Sequence, residues 1–357
     1  MHQQISKNAF EGQPIFVGID VHAKSWKVSV MTKSITHKTF STSPNSEDLY
    51  RYLTRNFPGA DFLCAYEAGF TGFSLHRQLK KLGIKSIVVN PADIPTTDKE
   101  RVQKEDKRDS RKIAQALRSG ELKAIHVPEE EDQFDRGLIR TRKAAVRDIT
   151  RTKARIKSFL YLNGIDFFAV PGNAYWSNHF LKALNELKFE YESGRSTMIF
   201  YLETLKQQRG MLLRINRQIR QLSRTPKYCD NVDLLLTVPG VGMITAMTFL
   251  TELGDISRFD SFTQLCSYVG LVPSTHSSGD NARVRGITPR RNRTLRSIII
   301  ENSWVAIRSD PALLHTFETL TGRMTGQKAI IRIARKLLNR IVHVLRHRQP
   351  YQKGIVK

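Results

Sequence analysis

The chain has 357 residues, of which 57 are Lys or Arg and 33 are Asp or Glu, so its formal net charge is +24. With 40% apolar residues, packed cores are expected and wholesale disorder is excluded. The positive excess predicts a polyanionic partner, either nucleic acid or an acidic membrane face. No stretch of about eighteen apolar residues and no signal peptide is evident, so we expect no membrane span and no secretion. The three cysteines are far apart, which argues against a zinc site and fits a reducing compartment. Nucleic acid in the cytoplasm is therefore the predicted partner.

The first third of the chain has the pattern of an α/β domain. Apolar or alternating segments typical of strands lie at 14–20, 26–30, 37–42, 61–67 and 84–90. Helical patterns follow over 71–82 and 106–118. Strands that come first and then alternate with helices predict a mixed sheet.

The middle of the chain predicts two long helices. Apolar residues recur three, four and seven positions apart over 136–162, and a second apolar seam runs over 205–222. Basic residues recur every four positions along the first helix and form a cationic edge: Lys143, Arg147, Arg151 and Arg155. We expect this edge to bind nucleic acid. The two helices indicate a helical hairpin or coiled coil, and an antiparallel pair within one monomer is as consistent with the pattern as a contact between subunits.

The last third begins with a predicted helix, tight turn and helix in LLLTVPGVGMITAMTFLTELG. Gly240 and Gly242 permit the turn, and the backbone N–H groups at the start of the next helix can hold a phosphate without reading bases. This pattern favours a helix-hairpin-helix element, with a plain helix–helix turn as the alternative. An amphipathic helix with one basic side is predicted over 328–347.

Four carboxylates lie at the ends of predicted elements. Asp20 and Glu67 each follow a buried strand, and Asp106 and Asp109 share a face at a helix start. Together these groups would repel each other unless a cation neutralised them, and hard oxygen ligands select Mg²⁺ or Mn²⁺. Two such ions could activate an attacking oxygen at a phosphate. Taken singly, each acid has an ordinary explanation as a cap, a first-turn acid or a surface acid.

Basic residues surround the second pair of acids and are expected to hold a phosphodiester backbone: Lys104, Lys107, Arg108, Arg111 and Lys112. Further along, a loop is predicted between Pro273 and Gly279, and it contains Ser274, Ser277 and Ser278. It is flanked by His276 and by Arg283, Arg285, Arg290, Arg291 and Arg293. A loop serine before glycine is usually a turn residue. It becomes a nucleophile only if its proton loss is assisted, for example by a metal held in the same or a neighbouring subunit.

The ordered motifs VGIDVHAKSWKVSV, YEAG, KEDKRDSRKIAQAL, TVPGVGMITA, GLVPSTHSSG and ITPRRNRTLR resemble the insertion-sequence-110 family of transposases. Members are also called DEDD transposases or bridge-RNA-guided recombinases. The resemblance implies a RuvC-like domain of ribonuclease-H fold over 14–135, a coiled-coil region over 136–226, and a mainly helical transposase domain over 227–348 with the helix-hairpin-helix and the serine loop. The chain departs from the family pattern at Glu105, Pro289 and Arg291.

The same resemblance implies the roles of particular residues. Asp20, Glu67, Asp106 and Asp109 fall on an acidic tetrad that binds Mg²⁺. Ser278 falls on a nucleophile that forms a covalent phosphoserine link to cleaved DNA, with Ser277 as the alternative. The family also implies a structured non-coding guide RNA that pairs with donor and target DNA. It implies a tetramer in which the serine of one subunit meets the acidic site of another.

The resemblance therefore implies an RNA-guided DNA recombinase in the cytoplasm of a prokaryote, associated with the nucleoid. No nucleotide-binding GxxxxGK[ST] motif occurs, which fits a reaction that conserves phosphodiester energy and needs no ATP. One alternative is a Holliday-junction resolvase or other metal-dependent nuclease, in which water attacks and Ser278 has no role. Another is a nucleic-acid-binding architectural protein without enzymatic activity.

Overall fold

The computed structural model describes residues 10–94, 106–172, 176–278, 281–289 and 291–353, and of residues 106–108, 274–278 and 281–285 it describes the backbone alone. The chain divides into two compact units, Met1–Val127 and Pro128–Lys357. The division into three domains that the sequence suggests stays a prediction.

The first unit is built on a five-stranded mixed sheet with the strand order β3-β2-β1-β4-β5. Its strands are β1 (Pro14–Val21), β2 (Trp26–Met31), β3 (Thr36–Thr42), β4 (Asp61–Glu67) and β5 (Lys85–Val89). β1, β2 and β3 pair antiparallel, whereas β4 and β5 run parallel to β1. The central strands alternate apolar side chains into a core that contains Ile15, Val17 and Ile19, so the predicted mixed sheet is confirmed.

In the described part of the first unit, three α-helices accompany this sheet: α1 (Ser46–Asn56), α2 (Ser74–Lys81) and α3 (Asp106–Arg118). The sequence interpretation missed α1, because it treated the whole of 14–67 as strand-rich. The local signal is a capping Asn45, whose side chain accepts a hydrogen bond from the backbone N–H of Glu47 at 2.8 Å. Helix α2 begins later than predicted, since Gly72 has a left-handed φ of 65° that cannot continue a helix.

Helix α3 packs against the sheet at Gly18 of β1, a residue that has no side chain. A Cβ atom on Gly18 of β1 would overlap the carbonyl oxygen of Ser110 and the backbone nitrogen of Ala114. On the neighbouring strand β2, the hydroxyl of Ser29 lies 2.9 Å from the hydroxyl of Ser110, and both side chains are buried. The first half of α3 is therefore fixed over β1 and β2.

The second unit begins with two long helices, α4 (Glu130–Leu162) and α6 (Glu192–Leu222), with the short helix α5 (Asn178–Asn185) between them. Arg142 donates to Asn216 at 2.7 Å, and the rings of Phe159 and Tyr201 lie 5.9 Å apart, so α4 and α6 run antiparallel. The intramolecular helix pair is thus present in the chain. Helix α4 begins six residues before the predicted start, because three acids in its first turn suit the helix dipole.

The remainder of the second unit is mainly helical. Its elements are α7 (Cys229–Leu236), α8 (Met243–Leu253), α9 (Phe262–Val269), β6 (Pro273–Ser278), β7 (Asn281–Ile287), α10 (Arg293–Ser309), α11 (Pro311–Thr321) and α12 (Gly326–His347). The apolar face of α12, including Ile333 and Leu337, is buried in a core that also contains Phe249 of α8. None of the described helices has the length and apolarity that crossing a bilayer requires.

The segment that contains the three serines is a strand, which corrects the predicted loop between Pro273 and Gly279. β6 and β7 form an antiparallel hairpin in which Ser278 pairs with Asn281. Proline is tolerated at the first residue of a strand, which is where Pro273 lies. The sequence pair Gly-Asp between the strands is a hairpin signal that the interpretation overlooked. Gly279 itself lies outside the described residues.

Candidate nucleic-acid and metal site

Two of the predicted carboxylates lie side by side at one edge of the first unit's sheet. β1 and β4 are neighbouring parallel strands, with Gly18 opposite Ala65 and Ile19 opposite Tyr66. Asp20 and Glu67 are the next residues along these strands. Because adjacent strands lie about 4.8 Å apart, the two residues share the carboxyl edge of the sheet. The strand ends therefore bring together acids that are 47 positions apart in the sequence.

His22 is a neighbour of this site that the sequence interpretation missed. Its Nε2 atom lies 3.0 Å from the Oδ2 atom of Asp20, so the imidazole orients that carboxylate. The available signal was the alternation in GIDVH, because residues two apart in an extended chain lie on the same side.

Asp109 lies in the first half of α3, next to the Ser110 that anchors this helix to β2. Its carboxylate is 3.9 Å from the ammonium of Lys112, which is a longer distance than a hydrogen bond allows. Arg111 is exposed on the same helix. The remaining predictions for this segment fall outside the description: Lys104 entirely, and the side chains of Asp106, Lys107 and Arg108.

The donor chemistry of this edge fits a hard divalent cation, because carboxylate oxygens are the ligands that Mg²⁺ and Mn²⁺ prefer. Asp20 and Glu67 are placed as neighbouring donors, and α3 brings Asp109 to the strands beside them. Within the described side chains, however, no three His, Cys, Asp or Glu residues lie close enough together to hold a metal ion. The complete tetrad thus stays a prediction.

The cationic edge of α4 lies in the second unit. Arg147, Arg151 and Arg155 are exposed one helical turn apart, and Arg151 also contacts Asp148 at 3.2 Å. Lys143 is half-buried and donates to the hydroxyl of Thr294 at 3.2 Å. Burial lowers the pKa of Lys143, and the positive charge of Arg147 lowers it further. The three arginines therefore present charge to solvent, while Lys143 also joins α4 to α10.

The PGVG turn lies between α7 and α8, as predicted. Gly240 has a left-handed φ of 80°, and an added Cβ atom would lie 2.5 Å from the carbonyl oxygen of Asn302. Gly242 is the N-cap of α8, and a Cβ atom there would meet nothing within 4 Å. The turn is thus packed against α10 on one side and open at the helix start. A helix start of this kind exposes N–H groups that have no partner within the helix.

The serine hairpin carries the remaining predicted residues. Backbone pairing places Ser277 opposite Ala282 and Ser278 opposite Asn281, next to the turn of the hairpin. Arg293 is exposed at the first position of α10, and Arg291 donates to the carbonyl oxygen of Pro289 at 2.9 Å. Arg290 lies outside the described residues, as do the side chains of Ser274, His276, Ser277, Ser278, Arg283 and Arg285.

A buried carboxylate that the sequence interpretation missed binds the N-cap residue of α10, Asn292. Glu252 of α8 is 0% exposed. It accepts hydrogen bonds from Nε and Nη2 of Arg140 at 2.7 and 2.9 Å and from Asn292 at 2.9 Å. Asn292 in turn caps α10 by accepting from the backbone N–H of Thr294. The only sequence signal was a single acid within the apolar TFLTEL.

The ionisation of Glu252 follows from these contacts. Burial raises the pKa of its carboxyl, but the hydrogen bonds from Arg140 and Asn292 outweigh burial, so the pKa lies below its ordinary value. The group is therefore a carboxylate at neutral pH. One buried charge thus connects α4, α8 and the N-cap of α10.

Two family models match the chain. Residues 17–163 match a transposase model of the DEDD type named for IS110. Residues 232–318 match the model described as the transposase IS116/IS110/IS902 family. The first match contains the second half of β1 with Asp20, together with β4 and α3, and the second contains the PGVG turn and the serine hairpin.

Relatives support the same assignment. The putative transposase y4qE of Sinorhizobium fredii is 34% identical over 254 residues, which are 71% of this chain and 60% of that protein. The transposase for insertion sequence element IS1533 of Leptospira borgpetersenii is 27% identical over 359 residues, covering 96% of this chain and 99% of that protein. The pilin gene-inverting protein of Moraxella bovis is 34% identical over 152 residues, which are 40% of this chain and 46% of that protein.

The fold and the matched regions thus define a transposase with an α/β first unit and a mainly helical second unit. The chain belongs to the IS110 family of transposases, as the resemblance of its motifs indicated. The DEDD name of the first model suggests the use of a divalent metal.

Proposed function

We propose that this chain is an RNA-guided DNA recombinase that moves an insertion sequence through attack by a serine. The observation that carries the proposal is the adjacency of Asp20 and Glu67 at parallel strand ends, within a region that matches the DEDD transposases. The strand order β3-β2-β1-β4-β5 supports a ribonuclease-H-like, RuvC-like fold for the first unit. The pilin gene-inverting relative supports recombination of DNA as the activity.

The proposed reaction starts at Ser278, with Ser277 as the alternative nucleophile. The hydroxyl loses its proton, its oxygen forms a bond to phosphorus, and the phosphodiester bond to the departing deoxyribose oxygen breaks. That oxygen takes a proton. Attack by a DNA hydroxyl on the phosphoserine then restores the diester and the serine, so no ATP is consumed. Bound Mg²⁺ or Mn²⁺ would supply stabilisation of the charge that develops on the phosphate. Asp20, Glu67, Asp106 and Asp109 would hold it.

The proposed partners are a structured guide RNA and the donor and target DNA. Base pairing would provide the sequence specificity, and the protein would bind backbone and shape. The exposed arginines of α4 support binding of the protein to the nucleic-acid backbone. The PGVG turn, as a helix-hairpin-helix element, supports it as well. The proposal includes three domains, a tetramer in which the serine and the acids come from different subunits, and a cytoplasmic location at the nucleoid.

The test is formation of a covalent protein–DNA adduct. Wild-type protein with its copurified RNA is incubated with Mg²⁺ and labelled donor DNA, and the adduct is detected after denaturation. We expect Ser278→Ala to abolish the adduct, and Asp20→Asn and Glu67→Gln to lower it at least about a hundredfold, as loss of a metal ligand would. Asp61→Asn, at the opposite end of β4 from Glu67, is the matched control and should leave the adduct unchanged.

The alternatives give different results in the same experiment. If Ser278→Ala and Ser277→Ala both continue to cleave without an adduct, water is the nucleophile and the metal nuclease is correct. If Asp20→Asn and Glu67→Gln retain every activity, the acids have no catalytic role and an architectural protein is favoured. Sequencing the copurified RNA tests the guide, since a defined transcript is expected and its absence would contradict RNA guidance.

A further inference from the structure

A large cavity lies in the second unit at the base of the serine hairpin. Its volume is about 920 Å³, and it is open to solvent and lined by residues of α9, α12 and the hairpin ends of β6 and β7. Five apolar residues contribute to its lining: Phe262, Leu271, Pro273, Ile287 and Ile331. Leu271 is buried, whereas Phe262, Ile287 and Ile331 are partly exposed. Apolar surface is thus open to a ligand from solvent.

One wall of this cavity is strongly cationic. Helix α12 contributes four basic side chains to it: Lys328, Arg332, Arg335 and Lys336. Among the residues that the structure describes, no acidic side chain lines the cavity and none of the four cations forms an ion pair. The guanidinium of Arg335 lies 5.9 Å from the ring centroid of Phe262, at the boundary between the apolar and cationic surfaces.

The ligand that fits must combine an apolar body with negative charge. Inorganic phosphate would leave the apolar lining in contact with water, and an uncharged apolar ligand would leave the four cations uncompensated. A nucleotide satisfies both surfaces, because its base can stack on Phe262 and pack against Ile331 while its phosphates meet the basic wall. The amide side chains of Gln327 and Asn339 also line the cavity and can bond to polar edges of a base.

The position of the cavity favours DNA over RNA as the source of that nucleotide. Pro273 and Ile287 belong both to the cavity wall and to the hairpin that carries the proposed nucleophile. Strand β6 runs from Pro273 to Ser278, a distance of about 16 Å for five residues at about 3.3 Å each. This distance corresponds to about five steps of about 3.4 Å along one DNA strand.

We propose that this cavity binds an unpaired base of the DNA strand that is being exchanged, with its flanking phosphates on Arg332 and Lys336. The proposal rests on the proposed function, because it assumes that cleaved DNA is held at the hairpin. Strand exchange requires bases near the cleavage point to leave one duplex before they enter another. A cavity that holds one such base would keep the strand from re-pairing with its former partner.

The test is binding of short single-stranded DNA to the full chain without divalent metal, so that no cleavage occurs. An intact oligonucleotide is compared with a series of oligonucleotides of the same sequence. Each member of the series lacks one base, at a different position. For wild-type protein we expect one position at which loss of the base weakens binding about tenfold, since a stacked base contributes about 1–3 kcal/mol. Removal of a base elsewhere should change binding less than about twofold.

Variants locate the effect in the cavity. Arg332→Ala and Ile331→Ala should each weaken binding of the intact oligonucleotide, and Ile331→Ala should abolish the difference between the intact and abasic strands, because the two changes remove the same contact. Arg323→Ala, an exposed arginine outside the cavity, is the control and should preserve that difference. Arg332 is exposed, so its replacement tests the proposal even if Ile331→Ala fails to fold.

Three results would overturn the proposal. Equal binding of intact and abasic strands at every position would exclude a base-binding cavity. A base-dependent effect with RNA of the same sequence and none with DNA would assign the cavity to RNA. A changed oligomeric state of Ile331→Ala in sedimentation, with unaltered DNA binding, would assign it to a subunit contact. The measurement is repeated in the Ser278→Ala background, so failure of serine chemistry and failure of base binding remain distinguishable.

Discussion

Among the described glycines of the first unit, Gly18 is the one at which an added Cβ atom would lie closest to its neighbours. It occupies the centre of β1, two residues before Asp20, and helix α3 approaches its backbone directly. The atoms that a Cβ atom would overlap belong to the backbone of Ser110 and Ala114, and backbone atoms of a packed helix cannot rotate away as a side chain can.

We therefore predict that Gly18→Ala destabilises the protein by about 3 kcal/mol and lowers adduct formation by displacing α3 and Asp109. Gly69→Ala is the matched control, because an added Cβ atom there would have its nearest neighbour at 4.0 Å, the carbonyl oxygen of Glu67. Urea unfolding measures both variants. If Gly18→Ala is as stable as Gly69→Ala, helix α3 does not lie against β1 as described.

The residues of the candidate sites differed in how well they could be predicted from the sequence. Asp20 and Glu67 were predictable because a carboxylate directly after an apolar strand is an unusual pattern, and parallel strands end together. His22 and Glu252 were not, because a lone histidine or glutamate in a sequence gives no sign of its partner. Glu252 binds Arg140 and Asn292, which are 112 and 40 positions away along the chain.

At the level of elements, Glu252 is the point where three helices are joined. We predict that Glu252→Gln costs about 2–3 kcal/mol of unfolding free energy, because it replaces a carboxylate that accepts charge-assisted hydrogen bonds from Arg140. Glu301→Gln, on the exposed side of α10, is the control and should change stability by less than about 0.5 kcal/mol. An equal effect of both variants in thermal unfolding would contradict this role.

The same network predicts a pH dependence with a definite sign. The pKa of Glu252 is lower in the folded than in the unfolded chain, so its stabilisation is fully present above the ordinary pKa of a glutamate in the unfolded chain. That stabilisation is lost as the pH falls through the folded pKa. Wild type and Glu252→Gln should therefore differ in stability at pH 7 and converge on acidification. A gap that widens at low pH would show that the carboxyl is protonated in the native state.

Helices and strands were predicted best where the repeating apolar pattern extended over many residues. Helix α12 and the buried face of α4 followed from apolar spacing over many turns. Helix α1 was missed because it is short and lies among strands, and the serine hairpin was taken as a loop because Pro273 was treated as a breaker. A short segment contains few repeats of any period, so its neighbours in space decide its conformation.

For the whole molecule, the charge of +24 predicts binding to nucleic acid that weakens steeply with salt. Arg147→Ala should weaken binding to duplex DNA of any sequence and reduce the slope of log affinity against log salt by about one, because one phosphate contact is lost. Arg51→Ala should leave the slope unchanged, since Arg51 already contacts Asp48 at 3.1 Å. Filter binding at several salt concentrations measures both, and equal slopes for all three proteins would contradict a binding face on α4.

The sequence by itself determined the partner class, the kinds of elements and the candidate chemistry, because charge, periodicity and residue type are local properties of the chain. Only the tertiary structure decided which side chains meet. The register of β1 against β4 brings Asp20 beside Glu67, and the close approach of α3 to Gly18 brings Asp109 to the same strands. The cavity beside the hairpin likewise combines α9 and α12, which are distant in sequence. Such contacts depend on packing between distant segments, and no local pattern encodes them.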